Sequence, residues 1–390
     1  MLEIASDKAG GEAAPCRFKL VNGDSYPKLP PGSLLSSEGD CQIQIRAIGK
    51  FERRESPLYF DVDPGVANVP QEHRIRFETF GQTRLAESSI TVLPGGSVVT
   101  DGFFAADRSR NILVDSFRAY GMISKYGFED LGDRRLERSL TTGDAVPGLA
   151  VAVGIQTNTN YFHWLLEALP RLWLARRFAG LEAATILVPP LRPWMAEMTA
   201  ALGADPQRLR VPKADETRCG RLVVPARGLG NIHTFTWHAF QMIDDFASRL
   251  TVTRRSRRLF VSRKHAASRR ITNEDEIFAL AARKGFERVF PETLSFSDQM
   301  SLFAGTEAVA GALGAGLTNS VFMPAGGAIL EFAPEQRQGD AVLFANLAHH
   351  RCLRYAGIVG SLDENSTRTF DRRDFSIPPD MAAQAFAAFE

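Results

Sequence analysis

From Val146 onward, short apolar runs alternate with stretches whose apolar residues recur at helical spacing, and this alternation constrains the fold more than any other feature. The first series contains the runs VAVGI, ATILVPP and RLVVPA, and the second contains RRLFVSR, ERVFPE, AVAGAL, AILEFAP and RCLRYAG. Strands that alternate with helices form parallel, doubly wound sheets. The chain is therefore predicted to be an α/β protein with two Rossmann-like halves that face each other across a cleft.

The helices of these series follow from apolar spacing and from capping residues. They are predicted at residues 160–178, 192–202, 237–250, 273–284, 295–304, 317–322 and 340–348, with a last helix at 381–390.

The first 145 residues follow a different pattern. Residues 1 to about 60 indicate coil with a few edge strands, and residues 74–117 alternate between apolar and polar, which predicts a β-meander with a tight turn at Pro94-Gly95-Gly96. The charged run at 129–144 is interpreted as a surface linker. We expect a β-rich region with its linker at 1–145, a Rossmann-like domain at 146–235, and a second one with a terminal helix at 236–390.

Composition excludes several classes of protein. The 390 residues include 46 Lys and Arg against 45 Asp and Glu, so a net charge of +1 argues against a nucleic-acid partner. The four cysteines form no CxxC pair and the seven histidines form no HxH or HExxH pattern, which argues against a zinc site or a disulfide framework. Neither a signal peptide nor a transmembrane run is recognised. We expect a cytoplasmic protein with peripheral association at the inner face of the membrane.

The first motif, NTNYFHWLLEALPR, places a histidine and a carboxylate on one helical face. Asn160 is suited to cap the helix, His163 lies in its first turn, Glu167 follows at i+4, and Pro170 should kink the helix. A carboxylate can hold one tautomer of an imidazole and raise its basicity. The alternative is an ordinary capped helix with an i,i+4 surface pair.

The second motif is a basic segment. Nine basic residues lie between Arg249 and Arg270 without an Asp or Glu among them, and Arg263 and Lys264 come at the end of a predicted strand, where α/β sheets bind ligands. Arg and Lys suit a phosphate group. A solvated loop and a nucleic-acid patch are the alternatives, but no Phe, Tyr or Trp lies between Arg263 and Arg270 to stack on bases. Thr272 and Asp275 match a capping box, which explains part of the segment without a ligand.

The third motif, GALGAGLTNSVFMPAGGAILE, is a glycine-rich turn between a strand and a short helix. Its small residues would let backbone amides approach an anion, although it is neither a Walker loop nor GxGxxG. Glu331 could accept hydrogen bonds from two hydroxyl groups, or simply be a surface carboxylate at the end of a strand. Asp61-Val62-Asp63 spells DxD, but Pro64-Gly65 follows, which favours an ordinary turn.

Together, in this order and spacing, these motifs resemble glycosyltransferase family 61. NYFHWLLEALPRL resembles the N-terminal block of the family, and the segment from LFVSRKHAASRRITNEDE to VFMPAGGAILEF resembles its C-terminal block, so that roughly residues 158–333 are covered. The resemblance implies a GT-B type fold and inverting transfer without a catalytic metal or a cofactor. It implies a nucleotide-sugar donor, UDP-linked, bound mainly by the C-terminal domain, and a glycan or lipid-linked glycan acceptor on the N-terminal side, in capsule or other surface-polysaccharide biosynthesis.

The resemblance also assigns roles to residues. His163 and Glu167 become the candidates for the catalytic base, and Asn160 and Tyr161 lie on the acceptor side. The implied donor-binding residues are Arg263, Lys264, Arg269, Arg270, Asn273, Glu274, Gly314, Ala315, Gly316, Thr318, Asn319 and Glu331. No residue is assigned to a metal, and the oligomeric state does not follow from the sequence.

One position departs from the family pattern. Leu313 stands where the family usually has a histidine before Gly-Ala-Gly, and a leucine side chain cannot hydrogen-bond a phosphate or hydroxyl. A lost hydrogen bond to a charged group is worth roughly 1.5–3 kcal/mol. Two alternatives therefore stay open beside an active transferase: a relative that binds nucleotide sugars but transfers poorly, and a sugar-nucleotide epimerase.

Overall fold

The computed structural model describes most of the chain in two compact units. It describes residues 13–21, 28–29, 41–45, 58–60, 85, 88–113, 120–156, 159–231, 234–251, 256–335, 338–363, 365, 367–369 and 372–387. Unit 1 comprises residues 1–49 and 85–242, and unit 2 comprises residues 50–84 and 243–390.

The secondary structure mixes strands and helices throughout. The strands are β1 (Ala14–Val21), β2 (Lys28–Leu29), β3 (Cys41–Ile45), β4 (Leu58–Phe60), β5 (Ser88–Pro94), β6 (Ser97–Val99), β7 (Phe104–Ala106), β8 (Asn111–Leu113), β9 (Glu129–Asp130), β10 (Arg135–Leu140), β11 (Asp144–Ala152), β12 (Thr185–Leu187), β13 (Leu209–Arg210), β14 (Glu216–Pro225), β15 (Leu229–Asn231), β16 (Thr234–Phe235), β17 (Arg257–Val261), β18 (Phe286–Val289), β19 (Thr306–Ala312), β20 (Ala328–Pro334), β21 (Arg354–Leu362) and β22 (Phe375–Ser376). The α-helices are α1 (Tyr161–His163), α2 (Leu169–Ala175), α3 (Pro193–Ala201), α4 (Trp237–Ala247), α5 (Glu274–Ala282), α6 (Phe296–Ala304), α7 (Gln338–His350) and α8 (Pro379–Ala387).

Unit 1 is built on one 13-stranded sheet. Its parallel part has the order β13-β12-β11-β14, and the far edge of β14 pairs antiparallel with β5 and β6. The strands of the predicted β-rich region therefore share a sheet with the first α/β series. The predicted boundary near residue 145 falls at the start of β11, inside this sheet. Consecutive antiparallel pairing of β6, β7 and β8 confirms the meander in that part of the chain, whereas the run at 75–80 lies outside the described residues.

The tight turn predicted at Pro94-Gly95-Gly96 is confirmed, since the Gly96 amide donates to the Leu93 carbonyl over 3.0 Å, but the turn does not reverse the chain into a hairpin. Pro94 pairs with Arg221 and Ser97 with Arg218, so β5 and β6 follow the same edge of β14 in one direction. The Gly95 amide donates to the Gly220 carbonyl over 2.8 Å, which continues the pairing across the break. Gly95 has a φ of +68°, a left-handed conformation that glycine adopts without a steric penalty. The two glycines thus form a turn between β5 and β6, and both strands stay paired with the same edge of β14.

The charged run at 129–144 is also not a linker. It contains β9 and β10, which form an antiparallel hairpin, and the first residue of β11. Leu136 and Leu140 are buried on one face of β10, while exposed Arg135 and Ser139 alternate with them. Buried residues at every second position, as at these two leucines, are typical of a strand. The density of charged residues around them suggested a solvated segment instead.

The helical segment at 161–175 contains a wide turn. Asn160 Oδ1 accepts a hydrogen bond from the Phe162 amide over 2.9 Å, which confirms the predicted cap. Between α1 and α2, residues Trp164–Ala168 form a π-helical turn, in which the Leu169 amide donates to the Trp164 carbonyl. Pro170 follows and supplies no amide hydrogen. The irregularity expected from this proline therefore takes the form of a π turn, a feature frequent at functional sites.

Unit 2 is built on a sheet in which β18-β17-β19-β20-β21 run parallel, with β4 pairing with β21 as well. The strands and helices predicted for the second series are confirmed, with bounds shifted by a few residues. The predicted helix at 317–322 is a 3-10 helix, Ala315–Phe322. Phe260 of β17, Phe332 of β20 and Phe386 of α8 meet in the core, and burial of each aromatic side chain stabilises the fold by roughly 1.5–3 kcal/mol.

A mixed α/β fold with two large sheets is thus confirmed. Within the described residues, no helix combines the length and the apolar character that crossing a bilayer requires.

Candidate functional site

The parallel strands of unit 1 create a crevice at one defined place. The chain moves outward from β11 through β12 to β13, then returns to place β14 on the other side of β11. Such a reversal leaves a crevice at the carboxyl ends of the two central strands, where open α/β sheets bind ligands. The segment with His163 follows β11, and Arg227 lies two residues beyond β14. The topology therefore brings these residues to one end of the sheet.

A histidine, a carboxylate and an arginine converge there. His163 Nδ1 lies 2.5 Å from Glu167 Oε1, and Arg227 Nη1 lies 3.4 Å from Glu167 Oε2. Glu167 is completely buried, His163 is 7% exposed and Arg227 is 8% exposed. The i,i+4 pair predicted from the sequence is confirmed as a contact, but it is buried and so is not the surface pair considered as an alternative.

Arg227 is a member of this cluster that the sequence analysis did not single out, and Arg171 lies on the same helical segment as Glu167. Arg171 is completely buried and donates from Nη1 to the Gly154 carbonyl, just beyond β11, over 2.6 Å. The Gly228 amide donates to the Glu167 carbonyl over 3.2 Å, and a side chain at Gly228 would overlap the Leu166 carbonyl. Arg171 could have been noticed as the last residue of the first motif. Arg227 lies 60 residues from Glu167 and carries no local signal.

The two predicted acceptor-side residues lie at the start of the same helical segment. Asn160 is exposed and uses its side-chain oxygen as a cap. The ring of Tyr161 packs against Trp194 of α3 at a centroid distance of 5.8 Å. They flank His163 in sequence, and an acceptor role for them stays a prediction.

Unit 2 has its own reversal of strand order. The chain begins at β17, moves to β18, and returns to place β19 on the other side of β17. Arg263 lies beyond the end of β17 and Gly314 beyond the end of β19, so the second and third sequence motifs meet at the carboxyl ends of the two central strands. The ligand position expected for an open α/β sheet thus coincides with both motifs.

Arg263 is a partly buried cation packed against Gly314. It donates from Nη2 to the Ser268 carbonyl over 2.9 Å and from Nε to the Arg269 carbonyl over 3.3 Å. Burial lowers the pKa of its guanidinium, an effect that the negative charges of Glu292, Glu274 and Asp374 oppose. Within the described residues its guanidinium hydrogen-bonds only carbonyl oxygens. Such a cation is suited to an anionic ligand.

Glu274 holds the loop that carries Arg263. Its carboxylate accepts from Ser262 Oγ over 2.5 Å and from the Arg263 amide over 3.0 Å, and the residue is only 4% exposed. Glu274 was predicted to bind the nucleotide-sugar donor. Both of its carboxylate oxygens instead accept hydrogen bonds from the loop that carries Arg263.

Four other basic residues of this segment form ion pairs with acidic partners from outside it. The ion pairs are Arg257–Glu287, Arg258–Glu307, Lys264–Asp275 and Arg270–Asp374. Arg270 also donates from its amide to Asp374 Oδ1 over 2.9 Å, which makes this contact the most extensive of the four. Four of the nine positive charges in this segment are thus paired with carboxylates in the fold. Arg269 has a left-handed φ of 56°, and its carbonyl accepts from Arg263.

Two further residues that were predicted to bind the sugar donor make internal hydrogen bonds, and a third is buried. Asn273 donates from Nδ2 to the Ile377 carbonyl and accepts from the Ile377 amide, over 2.8 and 3.0 Å. Asn319 is buried and donates to Gln299 Oε1 over 2.7 Å. Thr318 is also buried, and among the described residues its hydroxyl has no hydrogen-bond partner. The Asn319 contact fastens the 3-10 helix to α6, and Gly314, Ala315 and Gly316 stand at the start of that 3-10 helix.

Comparison with known families gives one match, and its sequence range includes the residues of both clusters. Residues 161–330 match the family model described as Glycosyltransferase 61. The chain contains a glycosyltransferase 61 domain. The match covers a little under half of the chain and reaches from Tyr161, beside His163, through Arg227 and Arg263 to β20. A comparison with curated proteins gave no match.

Glu331 comes directly after the matched segment and lies inside a strand. The predicted strand AILEFAP is confirmed as β20, and Glu331 occupies its middle and not its end. It is completely buried, and Tyr355 of β21 donates its hydroxyl to Glu331 Oε2 over 2.7 Å. The alternative of a surface carboxylate at a strand end is wrong, and a role in donor binding stays a prediction.

Metal ligands were not predicted for this transferase domain. Within the described residues, no group of three His, Cys, Asp or Glu side chains is arranged to hold a metal ion. The Asp61-Val62-Asp63 sequence lies outside the described residues.

Proposed function

We propose that this glycosyltransferase moves a sugar from a nucleotide-sugar donor to a glycan acceptor with inversion and without a catalytic metal. The observation that carries the proposal is the partly buried guanidinium of Arg263, packed against Gly314 at the strand-order reversal of unit 2. A nucleoside diphosphate is the anionic leaving group of such a donor, and fixed cations and backbone amides stabilise the charge that develops on it.

Unit 2 would bind the donor. Arg263 offers a planar fork of donors that matches phosphate oxygens. The Gly314-Ala315-Gly316 turn lets the backbone approach the same oxygens without side-chain interference. Lys264, which is exposed and pairs with exposed Asp275 over 2.9 Å, can exchange that weak pair for a phosphate.

Unit 1 would supply the base. His163 Nε2 takes the proton from an acceptor hydroxyl, and the hydroxyl oxygen attacks C1 of the donor sugar on the face opposite the diphosphate. The new C1–O bond forms as the bond from C1 to the diphosphate oxygen breaks, and the leaving oxygen keeps that electron pair. The configuration at C1 inverts in this single displacement. The GT-B division of labour, with the donor on the C-terminal and the acceptor on the N-terminal side, is part of this proposal.

The biological setting extends the same proposal. A UDP-linked donor, a glycan or lipid-linked acceptor, and a role in surface-polysaccharide biosynthesis at the inner face of the membrane follow from the resemblance to family 61. An assay of transfer should therefore begin with UDP-linked sugars as donors and with glycans or lipid-linked glycans as acceptors.

The test is thermal stability of the full chain against nucleoside diphosphates and their sugars, with a chelator and with divalent cations. A ligand at 100 times its dissociation constant should stabilise the fold by about 2.7 kcal/mol. We expect a selective shift in the presence of chelator that is lost in Arg263→Ala and kept in Arg283→Ala, an exposed arginine at the end of α5. A shift that needs a divalent cation, or one unaffected by Arg263→Ala, would overturn the proposed donor site.

Leu313 gives a specific reason to keep the weakened relative as a second candidate. Its side chain is 4% exposed and its amide donates to the Phe332 carbonyl over 2.8 Å, so it fits the apolar end of β19 well. Donor binding without release of nucleoside diphosphate across a panel of acceptors would favour this candidate over an active transferase.

A further inference from the structure

The carboxylate of Glu167 lies between two groups that can carry positive charge. It has no exposed surface, with His163 Nδ1 at one oxygen and Arg227 Nη1 at the other. The distances differ, at 2.5 Å for the imidazole and 3.4 Å for the guanidinium. The short contact is directional and the longer one is mainly electrostatic.

An ionised carboxylate in such a place needs a permanent cation nearby. Burial favours the neutral form of a carboxyl group unless opposite charge and hydrogen bonds compensate. His163 cannot supply that charge and also act as a base, because a base must be neutral before it accepts a proton. Arg227 remains charged at every accessible pH. The contact between Arg227 Nη1 and Glu167 Oε2 therefore gives the carboxylate a permanent positive charge that can keep it negative while His163 is neutral.

The loop that carries Arg227 is fastened to the helix that carries Glu167. The Gly228 amide donates to the Glu167 carbonyl over 3.2 Å, and the Gly228 carbonyl accepts from the Thr236 amide over 2.9 Å. His238 donates from Nε2 to the Ala226 carbonyl over 3.1 Å on the other side of Arg227. Residues on both sides of Arg227 are thus held, and its distance to Glu167 is fixed before any substrate binds.

We propose that Arg227 is a positioning residue that sets the tautomer of His163. With Arg227 present, ionised Glu167 accepts the hydrogen bond from Nδ1–H, and the lone pair of Nε2 is available to an acceptor hydroxyl. The chemical use of that lone pair rests on the proposed function, but the tautomer itself does not.

Loss of the guanidinium would reverse the direction of this hydrogen bond. Glu167 would take up one proton from solvent, and its carboxylic O–H would donate to Nδ1. The single proton of the neutral imidazole would then lie on Nε2, after release from Nδ1 to solvent. In this state Nε2 donates a hydrogen bond and cannot accept the proton of an acceptor hydroxyl.

Nitrogen-15 NMR of histidine-labelled full-length protein reads the tautomer directly, at alkaline pH where imidazoles are neutral. His163→Gln identifies the signals of His163 by their disappearance. We expect the proton on Nδ1 in the wild type and in Arg227→Lys, and on Nε2 in Arg227→Met. A wild-type proton on Nε2, or no change in Arg227→Met, overturns the proposal. If Arg227→Met fails to fold, Arg227→Gln takes its place with the same expectation, and a wild-type proton on Nε2 overturns the proposal with either variant.

Kinetics separate this proposal from the proposed function. Arg227→Met should lower kcat by roughly 10²–10⁴-fold, the usual contribution of a general base. The affinity for UDP should not change, Arg227→Lys should recover part of kcat, and Arg218→Met, which removes an exposed arginine of β14, should keep it. An equal fall of kcat and UDP affinity would contradict a positioning role. Absence of transfer in the wild type together with the expected spectra would overturn the proposed function and leave the tautomer assignment standing.

Discussion

The guanidinium of Arg263 occupies the space that a side chain at Gly314 would fill. An added Cβ at Gly314 would overlap Arg263 Nη1, and its distance to Cζ would be only 2.8 Å. Gly314 has a φ of 173°, extended backbone that any residue adopts, so its lack of a side chain serves Arg263 and not the backbone. Two motifs that are 51 positions apart in the sequence thus depend on each other.

Gly314→Ala should act as a mild form of Arg263→Ala. The methyl group displaces the guanidinium, so we expect UDP affinity to fall roughly ten- to a hundred-fold, the equivalent of losing a charged hydrogen bond worth about 1.5–3 kcal/mol. Isothermal titration calorimetry measures this change. Gly148→Ala in β11 is the matched control, because nothing lies within 4 Å of its added Cβ. Equal affinity of Gly314→Ala and wild type would mean that Arg263 does not bind the diphosphate.

Glu274→Gln should weaken both folding and donor binding. The amide nitrogen of glutamine would face either the Ser262 hydroxyl or the Arg263 amide in place of a carboxylate oxygen. We expect the free energy of unfolding to fall by about 1–3 kcal/mol, measured by urea titration. UDP affinity should fall as well, because the loop of Arg263 loses its support.

Glu276→Gln is the control for this change, since Glu276 is exposed on the same helix. Lower UDP affinity with unchanged stability would instead indicate that Glu274 contacts the ligand directly, as the resemblance to family 61 implies.

The elements of the second α/β series could be predicted from the sequence because each has its own signal. AILEFAP is an apolar run bounded by glycine and charge, and Ser295 caps α6 through a hydrogen bond from the Asp298 amide. Partners across the fold have no such signal. Glu307 meets Arg258 from 49 residues away and Asp374 meets Arg270 from 104 residues away, so these ion pairs of the basic segment could not be read locally. Arg227 became visible only when β14 was placed beside β11.

Burial of His238 should make folding sensitive to acid. Burial lowers its pKa to about 3, while Ser88 Oγ donates to Nδ1 over 2.7 Å and Nε2 donates to the Ala226 carbonyl. In the unfolded chain a histidine titrates near 6.5. The unfolded state therefore binds one more proton between about pH 6.5 and pH 3, and the stability present above pH 6.5 is lost as the pH falls through that range.

His238→Gln should reduce the dependence of stability on pH in this window. We expect the slope of the unfolding free energy to fall by up to about 1.4 kcal/mol per pH unit, because one proton-binding group is removed. Urea titrations at a series of pH values measure the slope. The pKa of His350 is also lowered to about 3 by burial, so part of the slope should persist in the variant. An identical slope in the variant and the wild type would show that His238 is protonated in the folded protein.

Tyr355→Phe tests the role of Glu331. The substitution removes the hydroxyl that donates to Glu331 Oε2 over 2.7 Å and leaves the ring in place. A completely buried carboxylate that loses a donor should destabilise the fold by about 1–3 kcal/mol, which a lower urea midpoint would show. Because Glu331 has no exposed surface, we expect UDP affinity to stay at the wild-type value.

Tyr126→Phe in unit 1 is the control for removal of a tyrosine hydroxyl, with the ring contact to Phe104 at 5.4 Å retained. Weaker UDP binding by Tyr355→Phe with an unchanged urea midpoint would restore the role implied by the family, in which this carboxylate accepts hydrogen bonds from ligand hydroxyls. A lower midpoint with unchanged affinity would assign Glu331 to the interior of the sheet. The donor site would then be limited to the loops beyond β17 and β19.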